Sequence, residues 1–88
     1  MRYIQNKDIV IRRVDACIFL VNPQSDALYQ LDSTGSVLWL ALAEPLDIDE
    51  AIKLLLIVFP EANPGTVASD VETLLEDLSN HHLITPVE

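Results

Sequence analysis

The hydrophobic period of this chain changes once, within the stretch Ala27 to Gly35. Before this stretch, short apolar runs are separated by polar residues, which is typical of β-strands. After it, apolar residues recur every three or four positions, as they do in helices. Leu28 to Leu31 are strand-favouring residues, and Asp32 or Ser33 can accept a hydrogen bond from the first amides of a helix. The change of period therefore predicts strands first and helices afterwards.

Three strands are predicted in the first part of the chain, at Ile9–Val14, Ala16–Val21 and Ala27–Leu31. Asp15 allows a turn between the first two, and Asn22 to Asp26 are turn-forming residues before the third. Such short connections favour an antiparallel meander whose first and third strands are its edges. The second run is apolar throughout, which suits a middle strand that is covered on both faces or packed near a partner. An open edge is either shielded or used to bind another strand, and we expect the third strand to be used.

Each of three predicted helices has a polar cap or a proline at its boundaries. Glu44-Pro45 ends the first helix and Pro60 ends the second. Asp47 and Glu50 have the spacing of a capping box, and Asn63-Pro64 is a cap followed by proline at the first helical position. The predicted fold is a single α+β domain over residues 1–88, a winged-helix-like meander followed by helices. The helices span Ser33–Ala43, Ile48–Phe59 and Pro64–Asn80.

The third helix carries an apolar stripe of the width that docks on a core. Its polar residues Ser69, Glu72, Glu76 and Asp77 are expected mainly on the other side. After this helix, Leu83-Ile84 is expected to complete the core, and residues 86–88 are expected to fray. The stripe consists of Val67, Val71, Leu74, Leu75 and Leu78.

In the second helix, two apolar residues lie away from the apolar face. Leu54 and Ile57 fall near Glu50 and Lys53 on a helical wheel. Either a neighbouring segment covers them, or they form a patch for a partner or a second copy of the chain.

Charge and cysteine content limit the classes of partner and compartment. The net charge is −9, and residues 45–88 carry one basic and nine acidic side chains. This acidic half disfavours nucleic acid and anionic membranes, and either attracts basic peptides or proteins or only keeps the domain soluble. The lone cysteine, Cys17, forms no internal disulfide, the N-terminal residues lack the apolar run of a signal peptide, and no apolar run is long enough for a membrane span. These features predict a cytoplasmic protein.

No residue pattern indicates catalysis, a metal site or a cofactor. Gly35 and Gly65 are too far apart for a phosphate-binding loop. His81 and His82 are adjacent at a helix end, where capping explains them, and Cys17 lies in a predicted buried strand. A winged helix can bind DNA, but the third helix contains no Lys or Arg for the phosphates.

The order of these elements resembles the PqqD-like family, the leader-peptide recognition elements of ribosomally made, post-translationally modified peptide pathways. The family commonly has a glycine where this chain has His82, and often Asp-Gly where it has Ala43-Glu44-Pro45. The resemblance covers residues 8–85. It rests on the segments Leu28–Gly35, Ala51-Ile52, Val58–Pro60, Asp70-Val71, Leu74-Leu75, Leu78 and Leu83-Ile84.

The resemblance implies a non-catalytic protein without a cofactor that captures the leader of a precursor peptide. The leader would add as a strand to the third strand and lie against the third helix. It would then be delivered to a radical-SAM enzyme, as in pyrroloquinoline quinone formation, or to a leader peptidase, as in lasso peptide pathways. The rival hypothesis is a structural or regulatory subunit, with a homodimer possible, that assembles through the Leu54 and Ile57 face and binds no peptide.

The resemblance also implies which residues form the peptide site. The backbone edge would come from Ala27, Leu28, Tyr29, Gln30 and Leu31, and the facing wall from Val67, Asp70, Val71, Leu74 and Leu78. For the apolar helix residues, plain core packing is the alternative role.

Overall fold

The computed structural model describes residues 1–15 and 17–87, which form two small antiparallel sheets and three helices. The order of elements, strands followed mainly by helices, matches the predicted α+β class. The strands are β1 (Arg2–Gln5), β2 (Val10–Val14), β3 (Cys17–Asn22), β4 (Ala27–Leu31), β5 (Leu46–Asp47) and β6 (Ile84–Val87). The helices are α1 (Ser33–Ala41), α2 (Ile48–Val58) and α3 (Pro64–Asn80).

The predicted meander is confirmed as the sheet β2-β3-β4. Its antiparallel registers include Val10 opposite Val21 and Ile18 opposite Leu31. Asp15 and Asp26, in the two connections, have φ angles of 56° and 55°, the left-handed region that turns require and that Asp tolerates. The strand β3 lies in the middle and β2 and β4 are edges, as predicted. Ala16, predicted to begin the middle strand, lies outside the described residues.

The middle strand is less buried than its apolar sequence predicts. Only Leu20 and Asn22 of β3 are buried, while Cys17, Ile18 and Phe19 are half-buried. The helices cover part of this sheet only, so coverage of both faces within one chain is wrong, while packing near a partner stays a prediction.

A second sheet, β5-β1-β6, was not predicted. It joins the ends of the described chain, because Arg2 lies opposite Val87 and Gln5 lies opposite Ile84. Residues up to Val87 are therefore held in a strand, and the expected fraying of the C-terminal residues is wrong for them; Glu88 lies outside the described residues. Within this sheet β6 is an edge strand, where Pro86, which has no amide hydrogen, is tolerated.

All three helices begin at the predicted caps. The Asp32 carboxylate accepts from the Gly35 amide at 2.7 Å, and the Asn63 side chain accepts from the Gly65 amide at 2.8 Å. Asp47 and Glu50 form the predicted capping box, with bonds of 2.8 and 3.1 Å. The bounds of α3 are as predicted, whereas α1 ends two residues and α2 one residue earlier than expected.

The end of α3 has the geometry that glycine usually supplies. His82 adopts a φ of 57°, and the Leu83 amide donates to the Leu78 carbonyl at 2.9 Å. The His82 amide donates to the Ser79 carbonyl at 3.0 Å, which completes a Schellman motif. This turn directs Leu83 and Ile84 back into the core, as predicted.

The core lies between the helices and the inner faces of the two sheets. Trp39 is its largest side chain and is 2% exposed. Of the helices in the described residues, none is long and apolar enough to cross a membrane. The buried apolar residues are Leu20, Leu31, Leu38, Trp39, Leu42, Ala51, Leu55, Val67, Val71, Leu75, Leu78, Leu83 and Ile84.

Candidate functional site

The outer edge of β4 carries backbone groups that no strand covers. This strand pairs with β3 on one side, and none of the other described strands pairs with its second side. Both terminal strands pair with each other in the second sheet and leave this edge open. In a strand of five residues, alternate residues direct their N–H and C=O groups toward such an edge. A peptide in an extended conformation can therefore pair with it.

A cleft of about 200 Å³ adjoins this edge. The last residues of β4 form one wall, the first turn of α1 forms the base, and Leu74 of α3 forms the facing wall. A Cβ atom on Gly35 would lie 3.1 Å from the Leu31 side chain, so glycine at this position lets α1 pack closely against the end of β4. The lining residues are Tyr29, Gln30, Leu31, Asp32, Gly35 and Leu74.

A second concavity, of about 280 Å³, continues the first along α3. Asp32 and Leu74 line both, so the two form one surface, which we call the groove. Leu74 is the half-buried apolar side chain at its centre, and three carboxylates surround the second part. The second part is lined by Asp32, Thr34, Asp70, Thr73, Leu74 and Asp77.

Tyr29 lies at the junction of β4 and the end of α3. Burial raises the pKa of its phenol above the usual value, and the nearby carboxylates of Asp77 and Asp32 raise this pKa further. The phenol is therefore neutral throughout the physiological range and offers a hydroxyl beside an acidic surface. The ring of His81 packs edge-on against the Tyr29 ring, with centroids 5.4 Å apart.

The geometry is therefore that of an open strand beside a groove with an apolar centre and an acidic end. The family model of coenzyme PQQ synthesis protein D, PqqD, matches residues 17–84. The chain belongs to the PqqD family. The resemblance described from the sequence is thereby confirmed.

Two solved structures share the fold of this PqqD-family chain. TbiB1, solved in complex with the TbiA(beta) leader peptide, is 22% identical, with a TM-score of 0.80 over 97% of this chain and 98% of that one. A lasso peptide synthetase B1, complexed with the leader peptide, is 17% identical, with a TM-score of 0.78 over 96% of this chain and 98% of that one. A search of curated proteins found no match.

Not all of the residues that the PqqD resemblance implied lie in the groove. On β4, Tyr29, Gln30 and Leu31 line it, whereas Ala27 and Leu28 belong to the edge strand without lining the groove. The side chain of Leu28 is 63% exposed, on the outer face of the sheet. As part of β4, both of these residues extend the open backbone edge beyond the groove.

The wall residues divide between the groove and the core. Asp70 and Leu74 line the groove. Val67, Val71 and Leu78 are buried in the core, with exposed fractions of 8%, 0% and 0%. Their side chains anchor α3, the facing wall of the groove, in the core, which is the core-packing role considered from the sequence.

The implied set also leaves out several residues that line the groove. The prediction that Asp77 lies mainly on the far side of α3 is wrong. At about 100° per residue, seven positions bring Asp77 to within about 20° of Asp70. The spacing of Asp70, Thr73, Leu74 and Asp77 in the sequence therefore indicates that these residues share one face of α3. The omitted residues are Asp32, Thr34, Gly35, Thr73 and Asp77.

The other residues considered from the sequence lie apart from this surface or at its margin. Cys17 is half-buried rather than fully buried, and its sulfur accepts a hydrogen bond of 3.4 Å from the Gln30 amide group. His81 caps the C-terminal end of α3, as expected for a histidine there. Within residues 1–15 and 17–87, no three His, Cys, Asp or Glu side chains are grouped as metal ligands.

A separate apolar surface is present on α2. Ile57 and Val58 are 76% and 44% exposed, while Leu54 is half-buried. Of the two residues considered for assembly, the structure therefore exposes mainly Ile57.

Proposed function

We propose that this protein is a non-catalytic recognition module that captures the leader of a ribosomally made precursor peptide. The leader adds as a strand to β4 and lies in the groove against α3. The observation that carries this proposal is the open outer edge of β4 directly beside the groove. Membership of the PqqD family and the shared fold of two B1 proteins, each solved with a leader peptide, support it.

The groove supplies both kinds of contact that strand addition needs. Each main-chain hydrogen bond to the open edge contributes about 1 kcal/mol, and burial of one apolar side chain on Leu74 contributes about 2 kcal/mol. Ordering each leader residue costs about 1–2 kcal/mol, which equals or exceeds the hydrogen-bond contribution. The apolar anchor therefore decides whether a given sequence binds.

We assign the direct contacts to the accessible members of the site. Tyr29, Gln30 and Leu31 provide the edge and one wall, and Asp70 and Leu74 provide the facing wall. Ala27 and Leu28 lengthen the edge, and the three buried residues Val67, Val71 and Leu78 support the wall from inside the core.

The captured leader is then presented to a second protein. We infer that this partner is a radical-SAM modifying enzyme or a leader peptidase, which carries out the chemistry that the module itself does not. The encounter takes place in the cytoplasm, where the precursor is translated.

A titration tests the docking mode. A short open reading frame beside the gene supplies the candidate leader, which is synthesised and added to the isotopically labelled protein. We expect the amide chemical shifts of β4 and α3 to change. With singly N-methylated leaders, we expect the dissociation constant to rise at every second methylated position, since methylation there removes an amide hydrogen that faces β4. Loss of affinity without this alternation, or shifts remote from β4, contradicts strand addition.

The rival function is assembly through α2, which the exposed Ile57 favours. Ile57→Lys removes this apolar contact without touching the groove. If assembly were the function, the variant would abolish complex formation with the partner enzyme, and the leader would cause no shifts in β4. The peptide-capture proposal expects leader affinity to be the same in Ile57→Lys and the wild type.

A further inference from the structure

The groove is acidic at one end, and none of its carboxylates has a Lys or Arg partner among the residues that the structure describes. Asp32, Asp70 and Asp77 all line the second concavity. Among the described residues, the ion pair present joins Arg2 and Glu50 at 4.0 Å. Neither of these two residues lines the groove. Lys and Arg number only five in the whole chain, and none lines the groove.

Helix stability explains only part of this arrangement. Asp32 caps α1, but Asp70 is the seventh residue of α3, beyond the first turn in which the helix dipole favours a carboxylate. Asp77 lies in the last turn of α3, where the dipole disfavours negative charge and where no basic side chain is present. The Tyr29 phenol is a neutral hydrogen-bonding neighbour of Asp77, but no Lys or Arg of the described residues pairs with this carboxylate, so its charge is left for a ligand.

An independent observation identifies the kind of ligand. The open edge of β4 can pair with an extended peptide, and Leu74 can accept an apolar side chain from it. Leu74 also lines the acidic concavity, so the anchor site and the carboxylates are adjacent. In a strand, residues two positions apart point to the same side and are about 7 Å from each other. A second side chain of the same peptide therefore reaches the acidic end.

We propose that the captured strand carries a lysine or arginine two positions from its apolar anchor, on the same face. The cation enters between Asp32, Asp70 and Asp77 while the anchor rests on Leu74. This inference rests on the proposed peptide capture and names the substrate class of that site, a basic amphipathic strand. Leaders with Asp or Glu at this position are excluded, because like charges repel.

The neighbouring groups are consistent with a cation at this end. The Tyr29 phenol stays protonated beside the Asp77 carboxylate and brings no positive charge to the groove, and Thr34 and Thr73 add neutral side-chain oxygens to the lining. The titratable groups that line or border the groove are the three aspartates, Tyr29 and His81. Only His81 can become positive, and it packs on the Tyr29 ring at the margin rather than among the carboxylates.

A selection from random 12-residue peptides displayed on messenger RNA tests the inference. Three proteins are compared: the wild type, Asp70→Asn with Asp77→Asn, and Glu72→Gln with Glu76→Gln. The last pair makes the same change of charge on the same helix, at exposed residues outside the groove. We expect the wild type and the Glu pair to enrich Lys or Arg two positions from an apolar residue, and the Asp pair to lose this enrichment while it still selects apolar anchors.

Affinity measurements complete the test. A selected peptide is expected to bind about fivefold more weakly to the Asp pair, and raising the salt from about 0.02 to 0.3 M weakens binding to the wild type more than to the Asp pair. Apolar strands selected without basic residues would overturn this inference and leave peptide capture intact. If the wild type selects no peptides, both the inference and the proposed function are wrong. Thermal unfolding of each variant verifies that it is folded.

Discussion

The ring of Tyr29 on β4 meets the ring of His81 at the end of α3, with centroids 5.4 Å apart and planes inclined by 64°. This edge-on contact joins the open strand to the helix that faces it. It lies at the end of the groove nearest the C-terminal turn of α3 and helps to fix the separation of the two walls. The aromatic contact therefore adds to the core packing of Val67, Val71 and Leu78 in holding α3 next to β4.

Leu74→Ala is expected to weaken leader binding about tenfold, because it removes most of the apolar surface that contacts the anchor. Leu74 is only half-buried, so the free energy of unfolding changes less than for a fully buried leucine. Isothermal titration with the leader measures the affinity. Leu40→Ala, at a residue that is 60% exposed on α1, is the control and leaves binding unchanged. Equal affinities for Leu74→Ala and the wild type would show that the anchor lies elsewhere.

His82→Gly is expected to stabilise the fold by about 1 kcal/mol, since glycine adopts the φ of 57° without the steric cost that a side chain brings. Urea unfolding measures the difference. The backbone bonds of the turn, including the His82 carbonyl that accepts from the Asn6 side chain at 2.8 Å, are retained. His82→Ala removes the imidazole but keeps the strained conformation. An equal rise in the free energy of unfolding for His82→Ala would show that the imidazole, and not the backbone conformation, destabilises the wild type.

Tyr29 makes stability depend on alkaline pH. Its pKa in the folded state is raised by burial and by the carboxylates of Asp77 and Asp32, above the value of about 10 in the unfolded chain. The protonated phenol therefore stabilises the fold fully below pH 10, and this contribution is lost as the pH rises through the folded-state pKa. The free energy of unfolding is expected to fall more steeply above pH 10 for the wild type than for Tyr29→Phe. If the free energies of unfolding of the wild type and Tyr29→Phe fell in parallel with pH, ionisation of the phenol would not contribute to the loss of stability.

Asp32 has two roles that substitutions separate. Asp32→Ala removes the cap of α1 and is expected to cost about 1 kcal/mol of stability, whereas Asp32→Asn keeps an acceptor for the Gly35 amide. Chemical denaturation of both variants measures the difference. Asp32→Asn also removes one of the three groove charges. Its affinity for a basic peptide is therefore expected to be lower than that of the wild type, while its free energy of unfolding stays nearly the same.

Local signals in the sequence predicted most of the fold. The meander follows from apolar runs bounded by turn residues such as Asn22 to Asp26, and the helices follow from caps and prolines such as Asn63-Pro64. The second sheet depends on pairing between residues as distant as Arg2 and Val87. Its strands have four, four and two residues, too short for a recognisable period, so no local pattern indicated them.

The groove was only partly predictable for a similar reason. The edge strand and Leu74 follow from sequence order and the family resemblance. Which apolar residues of α3 are accessible depends on how the helix is rotated against the core, and this rotation buries Val71 and leaves Leu74 at the surface. The approach of Asp32 to Asp70 and Asp77 depends on the packing of separate elements, which no single stretch of sequence encodes.

The antiparallel neighbours Arg2 and Val87 place the two chain ends side by side in the sheet that does not contain β4. A unit whose ends meet in this way can be spliced into a surface loop of a larger enzyme, or tethered from either end, with little distortion of the host. Because β4 lies in the other sheet, its open edge stays separate from such connections, and under the proposed function a tethered catalytic partner would encounter its substrate already held close by.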